Sequence, residues 1–237
     1  MKNIGLIGCG NIAETYFRSQ EYFNNINFVA CADKFPEASK KCANQYSIQS
    51  LTVDEILDDK NIDIILNLTI PQAHYEVSKK ALEAGKHVYS EKPMSIKFEE
   101  ARELLEIAKK NNLYFGNAPD TFLGGGGQTA RDLIDSNEIG KILTGNFIFA
   151  FPGVQEFHPN PESWFQQGGG PVIDMGPYFL TMLINLLGPA INVRARGKKF
   201  FDKREYLAGP KKGDFFDVEV STSVMFDVEF ANHTIVQ

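Results

Sequence analysis

Three cysteines and one tryptophan stand among 237 residues, and no apolar run approaches the roughly 20 residues that a membrane-crossing helix needs. Cys9, Cys31 and Cys42 are odd in number and none has CxxC spacing. That argues against a disulfide scaffold and against a zinc-ligand set, so the sequence points to no metal. Small buried thiols in a reducing compartment are the expectation. Basic clusters are missing too. Lys and Arg total 24 against 30 Asp and Glu, a formal net charge of −6, and no basic cluster exceeds a triplet. Nucleic acid and anionic membrane surfaces are therefore excluded as partners. Met1-Lys2-Asn3 leads straight into a short strand pattern, so no leader is read and the expected location is cytoplasmic.

What is present is an alternation of short apolar, β-branched runs with helical periodicity. Strands are predicted at 3–7, 27–32, 63–68, 87–90 and 113–116, several of them apolar throughout, as strands covered on both faces are. Helices are predicted between them: 36–46 with Pro36 at a first helical position, one opened by Thr52 and Glu55 at capping-box spacing, 73–84 stopped by Gly85, and 99–110. This alternation predicts an α/β fold, a doubly wound parallel Rossmann sheet with right-handed crossovers. After about residue 117 the pattern changes. A helix over 128–136, a strand over 142–151, a Pro/Gly/Asn-rich loop and a long apolar helix over 172–187 precede strand patterns at 191–201, 215–230 and 234–237. The second half reads as an α+β domain with an open antiparallel sheet. The domains are taken as 1–120 and 121–237.

The segment Ile4-Gly5-Leu6-Ile7-Gly8-Cys9-Gly10-Asn11-Ile12-Ala13 has the order strand, G-x-G-x-x-A, helix. Gly8 permits the tight turn, Gly10 lets backbone approach a pyrophosphate, and Asn11 and Ile12 open a helix whose amides face phosphates. The second strand runs into Asp33, about 20 residues past Ala13, where a carboxylate accepts from a ribose 2′-hydroxyl. S-adenosylmethionine enzymes share a glycine-rich first turn and an acid at this place. Lys34 leaves a 2′-phosphate open, yet the Asp33 charge favours NAD over NADP. Thr69, before Pro71, stands at a strand's carboxyl end, as a ligand-facing residue or as a simple turn residue. His74 either helps place the nicotinamide half or caps its helix. Glu91-Lys92-Pro93 ends the strand His87-Val88-Tyr89-Ser90, where a lysine can stabilise charge developing on a substrate oxygen. On spacing alone, Glu91 and Lys92 are more often just an exposed ion pair. The peptide before Pro93 is a candidate for the cis form.

These segments together carry a resemblance. Gly8–Ala13, then Asn67-Leu68-Thr69-Ile70-Pro71-Gln72-Ala73-His74, and above all Ala84-Gly85-Lys86-His87-Val88-Tyr89-Ser90-Glu91-Lys92-Pro93 resemble the glucose–fructose oxidoreductase, inositol dehydrogenase and rhizopine-catabolism family, Gfo/Idh/MocA. Gly168 to Tyr178 is similar to the family's third motif. The resemblance implies a Rossmann domain, a sheet domain and an active site between them. It also implies hydride transfer between NAD(P) and a carbonyl or secondary alcohol of a sugar, inositol or dihydrodiol-like substrate. By position, Lys92 would be the active-site lysine, Asp174 would orient substrate hydroxyls, and Tyr178 would exchange the proton. Glu91, Thr69, Pro71 and His74 would border the cofactor. Many members have His where Tyr178 stands, although some that oxidise dihydrodiols or sugars have Tyr. A tyrosine near its ordinary pKa of about 10 needs Lys92 to act as a base at neutral pH. His158 and Trp164, in the loop before the glycine run, are candidates to cover substrate or are plain loop residues.

Family members continue past the point where this chain ends, so the second domain is expected to be incomplete, its last strand an open edge. Phe226, Val228 and Phe230 alternate onto one face of that sheet, and relatives pack such faces together. A homodimer or homotetramer through the second-domain sheet is therefore expected. The competing reading is a non-catalytic dinucleotide-binding regulator or truncated remnant. A methyltransferase is disfavoured by Glu91-Lys92-Pro93, which has no role in methyl transfer.

Overall fold

The computed structural model describes all 237 residues and contains two compact units, Met1–Ala118 and Pro119–Gln237. In the first, β1 (Lys2–Ile7), α1 (Ala13–Ser19), β2 (Ile26–Ala32), α2 (Pro36–Tyr46), β3 (Gln49–Ser50), α3 (Val53–Asp58), β4 (Ile64–Asn67), α4 (Pro71–Glu83), β5 (His87–Ser90), α5 (Phe98–Lys110) and β6 (Phe115–Asn117) follow in order. The six strands form one parallel sheet, ordered β3-β2-β1-β4-β5-β6. The order reverses between β1 and β4, the topological switch where ligands bind outside the strands' carboxyl ends. The apolar runs are continuous because the sheet is buried twice. Ile7, Ile65, Val88 and Leu104 belong to one core layer, and Leu6, Cys31, Leu66 and Phe17 to the other.

Local chemistry sets the helix ends. Thr52 and Glu55 form the reciprocal capping box, and Gly85 takes φ +78° to stop α4. α4 begins at Pro71, two residues before the predicted start, since proline fits a first turn that lacks N–H acceptors anyway. The two-residue β3 was not predicted, being too short to show a period.

The second unit comprises α6 (Gly125–Asp135), β7 (Thr144–Gly145), α7 (Pro171–Asp174), α8 (Gly176–Leu187), β8 (Ala190–Lys198), β9 (Lys203–Glu205), β10 (Phe215–Asp217), β11 (Ser223–Phe230) and β12 (Ile235–Val236). α6 starts inside the glycine run, where a Cβ at Gly127 would lie 2.2 Å from the Phe122 carbonyl oxygen. The strand expected over 142–151 is only β7. The helix expected over 172–187 is two helices, because Pro177 offers no N–H and crowds the carbonyl four residues earlier.

The strand expected over 215–230 is also two, in separate sheets. β10 pairs with β9, and β11 joins a four-stranded sheet ordered β7-β12-β11-β8. Between them the Val218 and Glu219 amides donate to Asp202 and Phe165 carbonyls instead. The four-stranded sheet is mixed, since β12 and β7 run parallel. β12 is an interior strand with neighbours on both sides, so the last strand is not the expected open edge; the sheet's edge strands are β7 and β8. Nor is the Phe226, Val228 and Phe230 face left wet: it packs against Leu183, Leu186 and Leu187 of α8, with Phe230 only 1% exposed.

Candidate functional site

In the first unit, β1 delivers the chain into Gly8, whose φ is +104° and whose amide donates to the Ala32 carbonyl at 2.9 Å. A Cβ at Gly8 would lie 2.6 Å from the carbonyl carbon and oxygen of Leu68, so only glycine fits. At Gly10 a Cβ would meet nothing within 4 Å. Asn11 and Ile12 are exposed beside it, and Ala13 is buried under the sheet layer. The Asp33 carboxylate is fixed from two sides: Oδ2 accepts the Cys9 amide at 2.7 Å and Oδ1 the Phe35 amide at 2.8 Å. Lys34 beside it is exposed. A turn with clear space at its second glycine and an anchored acid after β2 fits a dinucleotide.

The next turns are held by the expected Thr69, His74 and Glu91 together with Asn67, Tyr16 and Asn117, which the sequence did not single out. Asn67, fully buried, donates to the His74 carbonyl and to Ser78 Oγ, each at 3.0 Å, and accepts from Thr69 Oγ1 at 2.7 Å. The His74 ring is 1% exposed and lies between two carbonyl oxygens, that of Pro93 2.6 Å from Nδ1 and that of Thr69 2.9 Å from Nε2. It thus touches both the turn before Pro71 and the chain after Lys92. The Lys92–Pro93 peptide is cis. The Glu91 carboxylate accepts from the Tyr16 hydroxyl at 2.8 Å and from the Lys92 amide at 2.9 Å, while its own amide donates to Asn67 at 2.9 Å. Asn117 Nδ2 closes the exit by donating to the Ser90 and Glu91 carbonyls. The visible signal for Asn67 was an amide at the end of an otherwise apolar strand. Tyr16 and Asn117 gave none.

In the second unit, the glycine run bends tightly. A Cβ at Gly169 would lie 2.5 Å from the Ser163 carbonyl oxygen, and Gly170 takes φ +86° before Pro171. The Asp174 amide donates to Gly170 at 2.9 Å, ending α7, and the Tyr178 amide donates to Met175 at 3.2 Å, opening α8. Both side chains are partly buried. Asp174 lines a cavity of about 390 Å³ together with Phe149, Trp164, Phe179 and Arg204. His158 packs on Trp164 with ring centroids 4.6 Å apart, and its Nδ1 accepts the Asn160 amide at 3.1 Å. Behind this loop, Glu162 accepts from Tyr206 Oη and, at 2.8 Å, from Lys211 Nζ. Burial opposes its ionisation, but these two donors outweigh that and take it down to about 2.

Residues 2–118 match the oxidoreductase family with an NAD-binding Rossmann fold, and residues 128–237 match the GFO/IDH/MocA C-terminal domain. The chain belongs to the GFO/IDH/MocA oxidoreductase family, and its first unit is an NAD-binding Rossmann domain. An uncharacterized oxidoreductase of Schizosaccharomyces pombe is 33% identical over 149 residues, covering 61% of this chain and 39% of that protein. Inositol 2-dehydrogenase of Rhizobium meliloti is 26% identical over 221 residues, covering 91% and 63%. The solved structure of a levoglucosan dehydrogenase in complex with NADH and levoglucosan matches at a TM-score of 0.84 and 25% identity, over 99% of this chain and 65% of that one. The chain thus spans less than two thirds of the length of these relatives. No helix is long and apolar enough to cross a membrane.

Proposed function

We propose that this chain is an NAD-dependent dehydrogenase of a small polyhydroxylated substrate, a sugar, inositol or dihydrodiol, acting at one secondary alcohol or its carbonyl. The observation that carries the reading is the partly buried frame around Glu91-Lys92-Pro93, where Glu91 and the carbonyl of Pro93 are anchored by Tyr16 and the buried His74. A surface ion pair would not require such a frame. Relatives named for inositol and levoglucosan oxidation support the substrate class.

Bound NAD supplies the hydride acceptor. Gly8, Gly10, Asn11 and Ile12 receive its pyrophosphate and Asp33 its ribose hydroxyl, with Lys34, Thr69 and Pro71 along the same edge. His74 acts through Thr69 and Pro93, because its ring is buried behind them. Lys92 donates to the reacting oxygen and stabilises negative charge there. Asp174 accepts from substrate hydroxyls, Tyr178 exchanges the alcohol proton, and His158 with Trp164 borders the substrate. The test is a panel of sugars and cyclic polyols with NAD and with NADP, read by the absorbance of reduced nicotinamide. Turnover of at least one polyol with NAD is expected. Tight NADH binding with no turnover across the panel would replace the proposal with a dinucleotide-binding regulator.

A further inference from the structure

The three cysteines take no part in the chemistry above, yet they converge. Cys9 lies in the turn between the two glycines, Cys31 in β2 and Cys42 in α2, and their sulfurs lie within 4.8 Å of one another. A cation about 2.3 Å from each of three thiolates holds those sulfurs about 4 Å apart. Closing the trio on an ion therefore needs movements of less than about 1 Å. Cys31 and Cys42 are buried in the apolar layer with Leu6, Phe17 and Leu66. Cys9 is partly buried and, with Cys42, lines an open cleft walled by α1 and α2. The cleft offers both a route from solvent and space for a water as fourth ligand. Three sulfur donors select soft or borderline cations over magnesium or calcium.

The trio is also tied to the nucleotide turn. The Cys9 amide is the group that bonds Asp33 Oδ2, and Gly10 follows directly. Drawing the Cys9 sulfur inward moves the residue between the two glycines that face the dinucleotide.

We propose that Cys9, Cys31 and Cys42 form a three-thiolate site for one soft cation of the zinc and copper(I) class, and that filling it weakens NAD binding at the adjoining turn. Thiol protons leave to solvent as the metal–sulfur bonds form, with no change in oxidation state.

The test uses the reduced, untagged chain and cadmium alone as probe, followed through the sulfur-to-cadmium charge-transfer absorption. The chain has only these three cysteines, so any such band arises from them. One cadmium per chain is expected, displaced by copper(I), with the band sharply reduced in Cys31→Ala and in Cys42→Ala. Saturating cadmium should weaken NADH binding about 5- to 150-fold, the usual range for coupled sites, and should leave NADH binding by Cys42→Ala unchanged. NADH binding by that variant without metal reports that it is folded. No saturable band, or a band undiminished by removing one cysteine, would overturn the site. Equal NADH affinity with and without cadmium would overturn the coupling. The cadmium titration reads independently of turnover, so its failure is distinct from failure of the dehydrogenase reading.

Discussion

The carboxylate of Asp33 holds the glycine turn in place, with Oδ2 2.7 Å from the Cys9 amide nitrogen. The acid proposed to take the ribose hydroxyl therefore also shapes the turn proposed to take the pyrophosphate. Asp33→Ser should lose NADH affinity by about 10- to 150-fold, corresponding to a charge-assisted hydrogen bond of about 1.5–3 kcal/mol. NADPH should gain relative to NADH as the like-charge repulsion is removed. Fluorescence titration of both cofactors measures this. Tighter NADPH than NADH binding by the unmodified chain would contradict it.

Lys92→Met should lower kcat by about 10²-fold or more, the effect of removing one preorganised donor to developing charge. NADH affinity should change far less. Near-normal turnover in this variant would return Lys92 to a surface role.

His74 lies between the Thr69 and Pro93 carbonyls with its ring buried. His74→Leu leaves at least one of them without a donor, since a neutral imidazole carries a single N–H, and should cost about 1–3 kcal/mol of stability, the range for one buried unpaired group. Urea denaturation followed by circular dichroism reads it. A loss under about 0.5 kcal/mol, the size of an ordinary surface change, would show that the ring contributes no such clamp.

Glu162 gives the second unit an acid-sensitive joint. Its folded pKa of about 2 lies below the unfolded value of about 4.3. The stability it contributes is thus present above the unfolded value and is lost as pH falls toward 2. Glu162→Gln should cost about 1–3 kcal/mol at neutral pH. The stability curves of variant and parent should converge as acid protonates the parent's carboxyl. Parallel curves from neutral pH to the acid limit would remove Glu162 from this role.

Much of the first unit was legible because its information is local. A strand buried on both faces is written as a short apolar run, as in Ile4–Ile7, and a turn requiring positive φ is written as glycine, as at Gly8. Thr52 and Glu55 lie three residues apart and need nothing distant to cap α3. In the second unit the same apolar alternation misled. Residues 215–230 carry one strand-like pattern, yet their backbone partners are split between β9 and β8. Alternation states which face is apolar and is silent on which strand lies alongside.

By itself, the sequence determined the order of strands and helices in the first unit apart from the two-residue β3, the dinucleotide turn and the motif that ends at Pro93. Each depends on the conformational limits of a few adjacent residues. Only the tertiary structure decided that β12 is interior, that α8 covers Phe226, Val228 and Phe230, and that His74 bridges Thr69 to Pro93. It also decided that the sulfurs of Cys9, Cys31 and Cys42 lie within 4.8 Å of one another. Such relations join residues far apart in the chain. They are set by how buried surfaces and hydrogen-bonding groups find partners across the fold, which no local pattern records.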